Sequence, residues 1–248
     1  MSETLDKKVI LVPTYNEAGN LETLVSRVSA LSLGLDILVI DDHSPDGTGE
    51  LAERMSKTRP FVKVLHRAKK EGLGRAYRDG FLWALQNGYD VILQMDADLS
   101  HDPAVLPDFL KEIRNCDAVF GSRYLNGVRV QNWSFKRLVL SKVSNEFVRI
   151  MLRLPATDTT TAYKCFRRKV VEAMDWDRLR GRQNAFLIEL VWMTVRNGFL
   201  TKEIPFTFTE RESGESKMNM KVAVESLATV FRLFFLSLGP APRPRRSG

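Results

Sequence analysis

Short apolar runs alternate with amphipathic segments through the first half of this chain. KVILVP (8–13) reads as a buried strand and LETLVSRVSAL (21–31) as an amphipathic helix. DILVI (36–40), VKVLH (62–66), DVILQM (90–95) and DAVFGS (117–122) read as further strands. TGELAERM (48–55), GRAYRDGFLWALQNG (74–88) and AVLPDFLKEI (104–113) read as the helices between them. Strands that are apolar on both faces need cover on both sides. This spacing therefore predicts an α/β fold: a Rossmann-like, mostly parallel sheet with helices on both faces. With 248 residues and 44% hydrophobic content, one sizeable domain can bury a core. No internal repeat appears.

From about Trp133 the rhythm changes. A long helix is expected over 135–153, and then short elements in TTTAYKCF (159–166) and LTKEIPFTFTE (200–210), read as edge strands and loops completing a second lobe on the same sheet. The division expected is 1–218 for the catalytic domain, 219–239 for a terminal helix and 240–248 for a Pro/Arg-rich tail. That helix, MKVAVESLATVFRLFFLSL (220–238), is too short in its apolar stretch to span a bilayer, and Glu225 and Arg232 interrupt it. Two readings stay open for it: an amphipathic helix lying in a membrane interface, or a core-packed helix. Which way Glu225 and Arg232 face is undecided from sequence.

The start, MSETLDKK, is polar and the next apolar run short, so no secretory leader is expected. Cys116 and Cys165 have no partners at metal-ligand spacing and read as reduced, buried thiols. The net charge of +7 suits an anionic ligand or an anionic membrane surface. The basic residues are scattered and no nucleic-acid-binding motif is present, so nucleic acid is disfavoured as a partner.

Ligands of open α/β sheets bind outside the carboxyl ends of the strands. This chain places Pro13, Thr14, Tyr15, Asn16 and Glu17 after its first strand, Asp41, Asp42 and Asp46 after the second, Asp96 and Asp98 after the fourth, and Arg123 after the fifth. Two carboxylates two residues apart, without thiolate or paired imidazole, suit a hard cation such as Mg²⁺ or Mn²⁺ completed by water and phosphate oxygens. The other reading of the pair is a solvated turn that caps the following helix. His43, His66 and His101 pair with no metal-ligating neighbour, and Gly72 and Gly74 form no dinucleotide fingerprint. Lys69, Lys70 and Arg75 read as a solvated cluster within reach of a diphosphate.

PTYNE (13–17), DDHSPDGT (41–48), GLGRAYRDG (72–80), MDADLSH (95–101) and GSRY (121–124) stand in an order that resembles the inverting family 2 glycosyltransferases of GT-A fold, and within them the dolichol- or polyprenol-phosphate mannose synthases. The resemblance runs from Lys8 to Lys217. It implies that Pro13, Tyr15, Glu17, Ile40, Asp42, Met95, Ala97, Arg123, Arg211 and Lys217 contribute to binding GDP-mannose. It also implies that Asp96 and Asp98 bind metal and diphosphate. In some relatives a Gln stands two residues beyond the second Asp as a third ligand; here that position is Ser100.

On the acceptor side, Arg137, Ser141 and Asn145 are spaced i, i+4, i+8 and share one helix stripe. A cation, a hydroxyl and an amide on one stripe suit a phosphate monoester, to which Arg123 and Arg211 can add forked donors. The alternative for the stripe is a solvated helix face. The resemblance places a lipid phosphate among Arg123, Arg137, Ser141 and Arg211. It reads FTERESGESK (208–217) as a mobile acceptor loop. A phosphate monoester is largely dianionic near neutral pH and needs no general base. None is assigned; Asp98, Arg123 and Arg211 are expected to stabilise charge.

The expected reaction is direct displacement with inversion through an oxocarbenium-like transition state. A polyprenyl or dolichyl phosphate attacks the mannose of GDP-mannose at the cytoplasmic face of a membrane. Some relatives carry C-terminal transmembrane helices or recruit membrane subunits, so a membrane-anchoring protein partner is a further expectation. The alternatives are a family 2 enzyme that uses a UDP-sugar, a phosphoryl-accepting signalling domain, whose double Asp would leave PTYNE unexplained, and a non-catalytic sugar-nucleotide sensor.

Overall fold

The computed structural model describes residues 7–209 and 220–239. Along the first half the elements are β1 (Lys8–Thr14), α1 (Ala18–Ala30), β2 (Leu35–Asp41), α2 (Thr48–Thr58), β3 (Val62–His66), α3 (Leu73–Gln86) and β4 (Val91–Gln94). A 3₁₀ turn over Pro103–Val105 leads into α4 (Leu106–Glu112) and then β5 (Ala118–Ser122). The second half holds β6 (Val130–Gln131), α5 (Phe135–Leu152), β7 (Lys164–Arg167), α6 (Arg168–Glu172), α7 (Asn184–Arg196), β8 (Thr201–Pro205), β9 (Phe208–Thr209) and α8 (Met220–Ser237).

The main sheet has seven strands in the order β3-β2-β1-β4-β7-β5-β8. The pairs β3·β2, β2·β1, β1·β4 and β5·β8 are parallel. Successive residues of β1 serve opposite cores: Val9 and Leu11 pack on the side of α3 and α7, Ile10 and Val12 on the side of α1 and α4. That two-sided burial is why the strand is continuously apolar. In α1, Leu21, Leu24, Val25 and Val28 recur at helical spacing and are the residues it buries.

One expectation is corrected. TTTAYKCF was read as part of an edge, but β7 lies between β4 and β5, antiparallel to both. A four-residue strand beginning with a lysine does not resemble a central strand, because buried Lys is rare without a partner. Here the Lys164 ammonium donates to the Thr161 carbonyl, and the next two residues, Cys165 and Phe166, are fully buried. The true edge on this side is β8. Cys116 and Cys165 are buried and free, as read.

Candidate active site

The ends of β1, β2, β4 and β5 open onto a cavity of about 250 Å³. Pro13, Tyr15, Glu17, Asp42, Asp96, Ala97, Asp98 and Arg123 all line it. Ile40 and Met95, the last apolar residues of their runs, instead turn their side chains into the two cores. Arg211 and Lys217 lie outside the described residues.

Asp42 is held from behind by Arg67, a residue without a role in the sequence reading. Arg67 is 8% exposed and forms ion pairs with Asp42, with Asp79 at 2.8 Å and with Glu71 at 3.2 Å. Burial raises the pKa of Asp42, and Arg67 works against that rise. Lys70, three residues on, lines the cavity with its ammonium 3.4 Å from the centre of the Tyr15 ring. Lys69 is exposed and pairs with Glu71 at 3.5 Å. Asp46 caps two helices: it accepts from the Ala18 N–H at 3.1 Å and from the Thr48 N–H at 3.0 Å. Desolvation pushes its pKa up, but the hydrogen bonds from Thr48 and Ala18 outweigh it and the net shift is downward.

At the end of β4 the chain turns through Leu99 at φ 62°. Asp98 Oδ1 accepts from the Ser100 N–H at 3.1 Å and from the Ser100 hydroxyl at 2.5 Å. Ser100 is 2% exposed, so its hydroxyl braces Asp98 from beneath. His101 Nδ1 accepts from the Asp96 N–H at 3.1 Å, and its ring stacks on Tyr163. Burial lowers the His101 pKa to about 4, so the ring is neutral near pH 7 and supports the Asp96 backbone. Among the described residues no cluster of three His, Cys, Asp or Glu side chains is placed to hold a metal ion. Two carboxylates at the cavity floor fit a hard cation whose remaining positions are filled by water and phosphate oxygens.

The Arg123 fork is spent largely on the protein. Its Nε and Nη2 bond to Asp158 at 2.6 and 2.8 Å, and Nη2 also reaches the Thr160 hydroxyl at 2.7 Å. Desolvation pulls the Arg123 pKa down and the Asp158 carboxylate more than restores it. Burial acts on Asp158 in the opposite sense, and Arg123 holds its pKa below the ordinary value. Glu203 on β8 accepts from the N–H groups of Thr157 and Asp158 at 2.9 and 3.2 Å. Asn145, 2% exposed, accepts from the Thr159 N–H at 2.8 Å and donates to Thr160 at 3.2 Å. Asn145 thus sets the loop that walls the cavity with Thr160 and Thr161.

The Ser141 hydroxyl accepts from the Tyr124 hydroxyl at 2.6 Å, and the Arg137 guanidinium lies 4.3 Å from the Trp133 ring, which Arg123 also faces at 5.4 Å. The stripe read from the i, i+4 spacing therefore faces inward, with Asn145 at its deep end. Asp158 escaped the sequence reading, because the arginine it pairs with lies 35 residues away in the chain. Gln183 and Asn184, which form the opposite wall, carried no local signal.

Residues 9–175 match glycosyl transferase family 2. The chain belongs to that family. As a family 2 glycosyltransferase it is 44% identical over 215 residues to the polyprenol monophosphomannose synthase of Mycolicibacterium smegmatis, covering 86% of this chain and 81% of the relative. It is 41% identical over 222 residues to the undecaprenyl-phosphate mannosyltransferase of Micrococcus luteus, covering 90% and 91%. With the dolichol-phosphate mannosyltransferase of Pyrococcus furiosus it shares 38% over 234 residues, covering 92% of this chain and 63% of the relative. Among solved structures, glucosyl-3-phosphoglycerate synthase from Mycobacterium tuberculosis, in complex with Mn²⁺, UDP and glucosyl-3-phosphoglycerate, superposes with a TM-score of 0.67. Identity is 13%, over 92% of this chain and 80% of that one. The fold is that of a GT-A glycosyltransferase, as expected from the motif order.

Proposed function

We propose that this glycosyltransferase moves mannose from GDP-mannose to the phosphate of a polyprenyl or dolichyl phosphate, with inversion, at a membrane surface. The observation that carries the reading is the orientation of α5. Its inner stripe is Arg137, Ser141 and Asn145, beside the cavity. Its outer stripe is mainly apolar and exposed, Phe135 78%, Val139 42%, Val143 61% and Ile150 63%, interrupted by Glu146, which pairs with Arg149 at 2.5 Å. A helix that turns polar groups inward and hydrocarbon outward suits an acceptor with an anionic head and a lipid tail.

Helix α8 extends the same surface. It lies against α5, with Phe147 and Phe231 in edge contact, and exposes Val224, Leu227, Phe235 and Leu236. Lys136 and Lys142 stand exposed on α5, where anionic headgroups would meet them. No helix among the described residues is long and apolar enough to cross a membrane, so contact with lipid would be peripheral.

The residues then divide the work. Tyr15, Glu17 and Asp42 bind the nucleoside; carboxylates accept from ribose hydroxyls or a guanine edge. Asp96 and Asp98 hold a divalent cation, Mg²⁺ or Mn²⁺, which when bound neutralises charge on the departing diphosphate. Lys70 adds positive charge on the same rim. Arg137 and Ser141, with Arg123 and Arg211, orient the acceptor phosphate so that one oxygen meets the anomeric carbon opposite the leaving group. The acceptor is already an anion near neutral pH, so no side chain removes a proton.

A UDP-sugar donor is the second reading, favoured by the shared fold with a structure that holds UDP. The test is transfer of labelled mannose from GDP-mannose to polyprenyl phosphate in detergent, with magnesium or with EDTA, beside UDP-glucose. Lipid-soluble label that requires metal supports the proposal; label from UDP-glucose alone replaces the donor.

A further inference from the structure

The only charged residues of α8 between Val222 and Ser237 are Glu225 and Arg232, and both turn inward. Glu225 Oε1 accepts from the Arg182 N–H at 2.9 Å. Arg232 pairs with Glu189 of α7 and donates to the Arg178 carbonyl at 3.3 Å. Glu189 is 1% exposed, and its second oxygen accepts from the Gly181 N–H at 3.0 Å. Residues 178–182 are therefore gripped by α8 on one side and by α7 beneath.

The far side of that segment abuts the start of α3. The Gly74 N–H donates to the Arg182 carbonyl at 2.9 Å. A Cβ at Gly74 would sit 2.3 Å from the Gly181 carbonyl oxygen, so any side chain there would push the two segments apart. Gly72, just before, runs at φ 100°, which glycine alone adopts easily. Gln183 and Asn184, which continue the segment, form one wall of the active-site cavity; Lys70, Gly72 and Leu73 form another. A continuous set of packed and hydrogen-bonded groups thus joins the outward apolar helix to the cavity.

The geometry points to Glu225 and Arg232 as positioning residues: through Arg182, Gly181 and Glu189 they set the Gln183–Asn184 wall, so that what covers the apolar face of α8 is felt in nucleotide binding. This rests on the reading of the site as a nucleotide-sugar cavity beside a lipid surface. In solution Glu225 and Arg232 hold the inner face of α8 while its outer hydrocarbon stays uncovered. A lipid surface that covers this hydrocarbon adds a second hold on the helix and, through the same contacts, on the wall. Linkage then makes the effect mutual: the factor by which lipid strengthens nucleotide binding is the factor by which nucleotide strengthens lipid binding.

The experiment uses the full chain, GDP and UDP with magnesium as probes, and vesicles of anionic phospholipid that contain no polyprenyl phosphate. Nucleotide affinity is measured by calorimetry and vesicle partition by sedimentation. Vesicles are expected to tighten the preferred nucleotide about 5- to 20-fold, and that nucleotide to raise vesicle partition by the same factor. Glu225→Ala, which removes one hydrogen bond at a half-exposed position, weakens vesicle-free binding about fivefold and abolishes the vesicle effect. Arg232→Gln does the same, and Arg232→Lys retains the coupling. Phe235→Ser, on the outer face, keeps the vesicle-free affinity and loses the vesicle effect.

Equal nucleotide affinity with and without vesicles, in protein that does bind them, overturns the coupling, as does a Glu225→Ala variant that behaves like wild type. Wild type that binds nucleotide but no vesicles overturns the coupling and the membrane reading together, and binding of neither nucleotide overturns the cavity assignment. Full coupling without mannosyl transfer removes only the assigned reaction.

Discussion

Helices α1 and α2, beside the first three strands, bury Leu21, Leu24, Ala52 and Met55 and present Glu22, Arg27, Glu50 and Lys57 to the outside. Helices α5 and α8 also bury apolar residues, among them Val148, Leu152, Val230 and Leu233, but differ in the rest. They turn Arg137, Ser141, Asn145, Glu225 and Arg232 inward and leave Phe135, Ile150, Leu227 and Phe235 exposed. The same residue types follow opposite rules in one molecule because the surroundings they suit differ. The first region is built for water on its outer side. The second turns polar groups toward an internal site and leaves hydrocarbon exposed, on the side where the proposed lipid contact would form.

The strongest test of that division is Asp98→Ala, on the water-facing side. If Asp98 holds the proposed cation that would neutralise the diphosphate, its loss should lower transfer about a thousandfold or more, measured as lipid-soluble label. Its bonds to Ser100, two residues along the same turn, are lost with it, and the thermal midpoint should move little. Asp158→Ala should act on stability instead. It leaves Arg123 buried without its carboxylate, and urea unfolding should show about 3 kcal/mol of lost stability. An unchanged midpoint would remove Arg123–Asp158 as the support of this rim.

Ile150→Glu tests the other side. A charge in the outer stripe should lower partition onto anionic vesicles by about 2 kcal/mol, roughly thirtyfold, while stability in solution stays within about 0.5 kcal/mol. A large loss of stability would mean that the stripe is packed rather than presented.

The smallest effect concerns the lysine under the site. Burial lowers the Lys164 pKa to about 7, so the folded protein binds less proton there than the unfolded chain at any pH between 7 and the ordinary value of about 10.4. The penalty for burying Lys164 is complete below pH 7 and is relieved as pH rises through that window. Buried Cys116 and Cys165, with raised pKa values, act in the opposite sense above pH 8.5 but are common to both proteins compared. The stability of wild type relative to Lys164→Met should therefore rise with pH from 7 to 8.5, with a slope approaching about 1.4 kcal/mol per pH unit. A flat difference would mean that Lys164 stays charged inside the fold.

The strands of the first half, the acids at their carboxyl ends and the inward stripe of α5 were all legible in the amino-acid order. Each is a local pattern: a run of apolar residues, a pair two apart, a spacing of four. What covers both faces of β1 follows from its composition, and the family follows from motif order along one rim. Other features depend on partners far along the chain. Arg123 meets Asp158 across 35 residues, Arg67 meets Asp42 across 25, and Arg182 meets Glu225 across 43. The place of β7 in mid-sheet belongs with these, because a short strand with a lysine becomes central only where neighbouring strands and a carbonyl receive it. So does the direction in which Glu225 and Arg232 point, since helical spacing defines a face but not what that face meets. Periodicity is a property of a segment and can be read from it. Which segments satisfy one another's charge is a property of the assembled fold, where desolvation makes every unpaired group costly.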